Sequence, residues 1–135
     1  MKPYVFNVAQ ITDSCIKWIQ EWMSKNGNDS TKVVIGISGG KDSTVVAALC
    51  AKAIGKERIL GVMMPNGIQP DISDSQKIVD FLQIPHITIN INNAYNGLTE
   101  EIKSKLDLES LSPQYLTNTP ARLRMTTLYG IGAII

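Results

Sequence analysis

The chain has 135 residues, 44% of them hydrophobic, and a formal net charge of +1. That describes one soluble globular domain with enough apolar material for a core, and its near-neutral balance gives no support to a nucleic-acid or membrane-surface role. Cys15 and Cys50 stand singly in helix-like stretches without metal-type spacing, so the expectation is two buried, reduced thiols in a cytoplasmic protein.

No apolar run follows Lys2, so the start does not read as a signal peptide. Val8, Ile11, Cys15, Ile19 and Trp22 recur at spacings of three and four, which predicts an amphipathic helix from about Asn7 to Lys25, ended by Gly27. The run KVVIGI (32–37) is short and β-branched, as in a buried strand. A helix from Asp42 to Ala53 follows a glycine-rich turn, and RILGVMM (58–64) reads as a second strand. Pro65-Asn66-Gly67 turns the chain. DISDSQKIVDFL (71–82) gathers Ile72, Ile78, Val79 and Leu82 on one side, a third helix behind an aspartate or serine cap. HITINI (86–91) is a third strand. After a polar stretch, Pro120 falls near the first turn of a helix running to the end.

Helices between successive strands imply a parallel sheet. VVIGI is apolar on both faces, as suits a central strand, and the final segment MTTLYGIGAII is apolar nearly all round. Either another chain covers that segment or the sequence is a fragment of a longer protein, and the expectation is the fragment. The tail is too short to span a bilayer.

The loop between the first strand and its helix decides the chemistry. A strand, a glycine-rich turn and a helix start form an anion site, because backbone N–H groups converge there and the helix end adds partial positive charge. A Walker loop fails at Ile35 and Asp42, and Gly36, Gly39 and Gly40 are spaced wrongly for a dinucleotide fingerprint. Ser38 and Lys41 match the S-x-x-K of β-lactamases, but no S-D-N or K-T-G follows. What remains is S-G-G-x-D-S, from Ser38 through Gly39, Gly40, Lys41 and Asp42 to Ser43. It suits a pyrophosphate: glycines let the backbone close on the oxygens, the serine hydroxyls can donate, and Lys41 supplies a compact charge. Asp42 would repel phosphate, so its sensible role is to hold Mg²⁺. Gripping the β and γ phosphates as a leaving group points to adenylation.

This loop resembles that of the PP-loop ATP pyrophosphatases, a Rossmann-like group of the adenine nucleotide alpha hydrolase type. NTPARLRMTTLYG (118–130) resembles the N-x-x-A-R-x-R-M segment of NAD synthetases, and GVMMPNGIQPDISDSQ (61–76) is similar to that family's stretch after the second strand. The resemblance implies an α/β fold with helices on both faces of a parallel sheet, here one domain over residues 1–135 lacking its C-terminal part. It implies ATP-dependent amidation of deamido-NAD to NAD by ammonia through an adenylated intermediate, releasing AMP and pyrophosphate. On it, Ser38 to Ser43 (Ser38, Gly39, Gly40, Lys41, Asp42 and Ser43) cradle the ATP phosphates, with Gly36 and Ile37 also among the ATP-binding residues; Lys41 and Asp42 are the catalytic candidates, and Asp42 is the Mg²⁺ ligand. Met63 lies near the adenine, where many relatives carry arginine, and Lys41 stands where glutamine is common. Arg122 and Arg124 contact the phosphates of ATP or deamido-NAD, and the two are not distinguished. Trp22 and Tyr129 look like the family's aromatic contacts to the nicotinate end, or are ordinary core aromatics. His86 reads as structural. A full-length homodimer is implied, without nucleic acid or membrane, and the missing later ligands imply that residues 1–135 alone form no NAD. Two other classes stay open: another PP-loop adenylating enzyme, GMP-forming or tRNA-modifying, and a non-catalytic ATP-binding module.

Overall fold

The computed structural model describes residues 6–68 and 72–135. Residues 1–5, which carry the signal-peptide reading, and Asp71, the expected aspartate cap, lie outside the described residues.

Helix α1 spans Val8–Asn26; the Asn7 side chain accepts from the Gln10 amide at its start, and the Gly27 amide donates to Met23 O at its end. Strand β1 is Val33–Gly36 and helix α2 is Lys41–Ile54. A single 3₁₀ turn, Lys56–Arg58, leads into β2, Ile59–Met63. Helix α3 is Ile72–Leu82 and β3 is His86–Thr88, three residues shorter than expected. The strands form one parallel sheet in the order β1-β2-β3. This leaves β1 at an edge of the sheet despite its two apolar faces.

The alternation of side chains along the strands divides the core in two. Ile35, Ile37, Ile59 and Met63 face Ala47 and Cys50 of α2 and Val79 of α3, with Ile19 of α1 outside them. Val34, Leu60, Val62 and Met64 face the opposite way, onto Leu123, Leu128 and Ile131 of the last helix. Helices therefore cover both faces, as a Rossmann-like α/β layer arrangement requires. Fully buried side chains such as Ile59 and Val62 each contribute roughly 1.5–3 kcal/mol.

Two expectations for the C-terminal third are corrected. The polar stretch is a helix, α4, Asn92–Leu106, and the last helix, α5, runs Pro113–Gly132. Its cap is Ser112, whose hydroxyl accepts from the Tyr115 amide, and Pro113 takes the first-turn position assigned to Pro120. Pro120 lies well inside the helix, where its ring removes a backbone donor, and it is buried. Burial against the neighbouring elements carries a helix through a residue that local propensity would use to end it. Tyr115 ties the two helices together, its hydroxyl 2.9 Å from the Thr99 hydroxyl and its ring 6.1 Å from that of Tyr95.

Both cysteines are free thiols; Cys15 is half-buried and Cys50 buried. Burial pushes the Cys50 thiol above its ordinary value of 9.0. A raised thiol adds stability that is complete below the unfolded value and lost as pH climbs through the folded one. Urea midpoints should therefore fall faster above about pH 9 for the parent than for Cys50→Ala. Parallel curves for the two proteins would contradict this.

Candidate functional site

Strand β1 ends pointing its backbone into the site. The Ile37 amide still donates to Val62 O at 2.9 Å, so the sheet pairing runs one residue beyond the strand. Gly39 then turns the chain with φ +81°, a left-handed conformation suited to glycine. A methyl at Gly39 would meet Cβ of Asp74 at 3.3 Å and the Ser75 amide nitrogen and hydroxyl at 3.4 Å, so α3 backs the turn closely.

Gly40 caps α2 without a side-chain bond. The first-turn amides of a helix have no intrahelical partner, so those of Lys41, Asp42 and Ser43 are the donors an anion would use. Within the loop the serines hold each other: Ser38 Oγ lies 3.1 Å from Ser43 Oγ and accepts from the Gly40 amide at 3.3 Å. Ser43 Oγ donates to Gly40 O at 3.1 Å and accepts from the Ser38 amide at 3.4 Å. The hydroxyls expected to serve a phosphate thus first shape the loop.

Lys41 and Asp42 are exposed at the start of α2. Among the described residues the ion pairs are Lys77–Asp74 and Lys105–Glu101, so Asp42 has no cationic partner there. No group of three metal-ligating side chains exists among the described residues. A lone carboxylate beside a phosphate loop fits Mg²⁺, which keeps several waters and takes one or two carboxylates together with phosphate oxygens.

Beside the loop lies a cleft of about 530 Å³, lined by Ser38, Met64, Pro65, Ser75, Arg124 and Leu128 among others. Gly36 keeps its floor open: a methyl there would sit 3.1 Å from Met64 Cε and 3.3 Å from Leu128 Cδ1. The Pro65 turn is held by Asn90, which accepts from the Gly67 amide at 3.1 Å and donates to Gly67 O at 3.3 Å. Arg124 is half-buried; its Nε donates to Met64 O at 2.8 Å, which fixes the guanidinium at the cleft wall with its terminal amino groups to spare.

The structure brings Gly36, Ile37, Ser38 and Arg124 to the cleft and sets Gly39 to Ser43 beside it as one loop. It does not bring the others. Met63 is 3% exposed and faces the α2 and α3 side of the sheet, while its neighbour Met64 lines the cleft. Arg122 is exposed, Trp22 is half exposed on α1, and Tyr129 is 80% exposed on α5; none of the three lines the cleft. His86 bonds Ile84 O and Gln76, away from the loop, consistent with a structural role. Met64, Ser75 and Leu128 were not foreseen. Only strand alternation read outward from Ile59 through Gly61 to Met63 could have pointed to Met64.

The sequence model for NAD synthase matches residues 11–134. The NH(3)-dependent NAD(+) synthetase of Pyrococcus horikoshii is 38% identical over 117 residues, which is 87% of this chain and 43% of that protein. A solved structure of the NH3-dependent NAD synthetase from Campylobacter jejuni, in complex with nitrate, superposes with a TM-score of 0.82 at 28% identity, covering 96% of this chain and 54% of that one. The NMN synthetase of Francisella tularensis superposes with a TM-score of 0.78, also at 28% identity, covering 96% of this chain and 51% of that one. The chain thus spans about half the length of the relatives it matches. A match across nearly every described element, with the phosphate loop and the cleft inside it, places this chain in the NAD synthase family.

Proposed function

We propose that this chain supplies the ATP-binding half of an enzyme that amidates deamido-NAD to NAD with ammonia, through an adenylated carboxylate, releasing AMP and pyrophosphate. The observation that supports it most is the S-G-G-K-D-S loop opening beside the cleft that Arg124 walls. The first-turn amides of α2 and the Lys41 ammonium hold the departing pyrophosphate. Asp42 holds Mg²⁺, which offsets the charge on the phosphates when bound. Met64, Pro65 and Leu128 give an apolar surface for the adenine, and the terminal amino groups of Arg124 meet a phosphate of ATP or deamido-NAD. Carboxylate is a poor electrophile because its leaving group is oxide; the acyl-adenylate offers AMP instead. Fixing the carboxylate against the α-phosphorus removes entropy from the barrier, by about 7–11 kcal/mol at best.

The full-length protein acts as a homodimer in the cytoplasm, with no nucleic acid or membrane partner; no helix among the described residues is long and apolar enough to cross a membrane. Residues 1–135 alone bind Mg·ATP and form no NAD, because the deamido-NAD loop belongs to the half that the longer relatives carry. The test gives ATP, Mg²⁺ and ammonium, with deamido-NAD or its mononucleotide analogue, to this chain and to one extended to its relatives' length. NAD, AMP and pyrophosphate in equal amounts from the extended chain alone are the expected result. Amidation of the mononucleotide in preference would assign the chain to the reaction named for the Francisella protein. ATP binding without AMP from either substrate would reduce it to a nucleotide-binding module, and NAD from the 135 residues would overturn the division of labour.

A further inference from the structure

Among the described residues Ser75 is the polar side chain buried in the core, at 2% exposed, and it stands in the first turns of α3 where the helix meets the loop. Its hydroxyl donates to Ile37 O at 3.2 Å, so the carbonyl immediately before Ser38 is tied to α3. A methyl on Gly39 would come 3.4 Å from the Ser75 amide nitrogen and hydroxyl and 3.3 Å from Cβ of Asp74, so this turn of α3 passes close behind the left-handed turn of the loop. An alanine would fill the same volume, and a buried serine without a purpose leaves a donor to satisfy. One hydrogen bond and one close approach therefore run from Ser75 to the residues that present the phosphate-binding amides.

We propose that Ser75 is a positioning residue for the phosphate loop, holding the Ile37–Gly40 backbone in the shape that grips a pyrophosphate group. The inference rests on the ATP reading of the loop given above. It separates Ser75 from a residue that merely stabilises the core, because it predicts a selective loss: phosphate-bearing ligands suffer and the nucleoside does not.

The experiment titrates the 135-residue chain with Mg·ATP, with magnesium pyrophosphate and with adenosine. Ser75→Ala should weaken the first two by about fivefold to tenfold, the value of one lost hydrogen bond, and leave adenosine unchanged. Met23→Ala, at a buried position near the end of α1 and outside the core cluster that holds Ile37, is the control for stability alone; it should lower the melting temperature and leave all three affinities as they were. If Ser75→Ala melts below the assay temperature, Ser75→Cys, near the same size and a weaker donor, carries the same comparison. Unchanged pyrophosphate binding, or an equal loss for adenosine, overturns the inference and leaves the ATP reading standing. A parent chain that binds neither ATP nor pyrophosphate overturns the ATP reading, and the inference with it.

Discussion

Asp42→Ala should remove the magnesium-dependent part of nucleotide binding. With Mg·ATP at about 100 times its dissociation constant, the parent chain gains about 2.7 kcal/mol of stability. For a domain of this size that is a rise of roughly 10 °C in melting temperature. Asp42 is the carboxylate of the loop, and among the described residues no cation neutralises it. Without it, four phosphate charges meet the loop with no protein ligand for the ion that offsets them. The variant should retain only the small shift that ATP gives the parent in chelator, and chelator should make the two proteins alike. An undiminished shift in Asp42→Ala with magnesium present would show that the metal is held elsewhere, and the assignment of Asp42 would fall.

Gly39→Val should be the most damaging single change in the loop. A β-branched residue at φ +81° is strained in itself, by about 1–2 kcal/mol or more. Its Cβ would also sit 3.3 Å from Cβ of Asp74 and 3.4 Å from the Ser75 amide and hydroxyl, which leaves no room for two further methyls on that side without a shift of α3 or of the loop. Overpacking of that kind adds about 1–3 kcal/mol. The loop can escape the strain by flipping out of the left-handed turn, and the amides at the start of α2 would then no longer converge. Calorimetry should show the loss of stability, and titration should show pyrophosphate binding weakened by roughly a hundredfold or beyond measurement. Gly97 in α4 gives the opposite sign: a methyl there meets nothing within 4 Å, so Gly97→Ala should stabilise by about 0.5–1 kcal/mol. Normal pyrophosphate affinity in Gly39→Val would mean that the turn does not shape the site.

The sequence by itself determined the α/β order, the parallel sheet and the loop, because each is written locally. Strand runs, helical periods and glycines act within a few residues of where they stand, and Ser38 to Ser43 are contiguous. It also held α4, since Tyr95, Leu98, Ile102 and Leu106 recur at spacings of three and four, although polar neighbours and Gly97 obscured that period. The tertiary structure decided the rest. Whether Met63 or Met64 reaches the cleft depends on which face of β2 the last helix covers, a fact held some 60 residues further along the chain. Arg122 and Arg124, two positions apart on a helix, point in nearly opposite directions, so one at most can enter the cleft; packing of α5 on the sheet selects Arg124. Pro120 sits inside α5 because burial outweighs propensity there, and no local signal reports burial. Ser75 belongs to the loop only because α3 folds back onto the end of β1, a contact spanning 38 positions that no spacing in the chain announces.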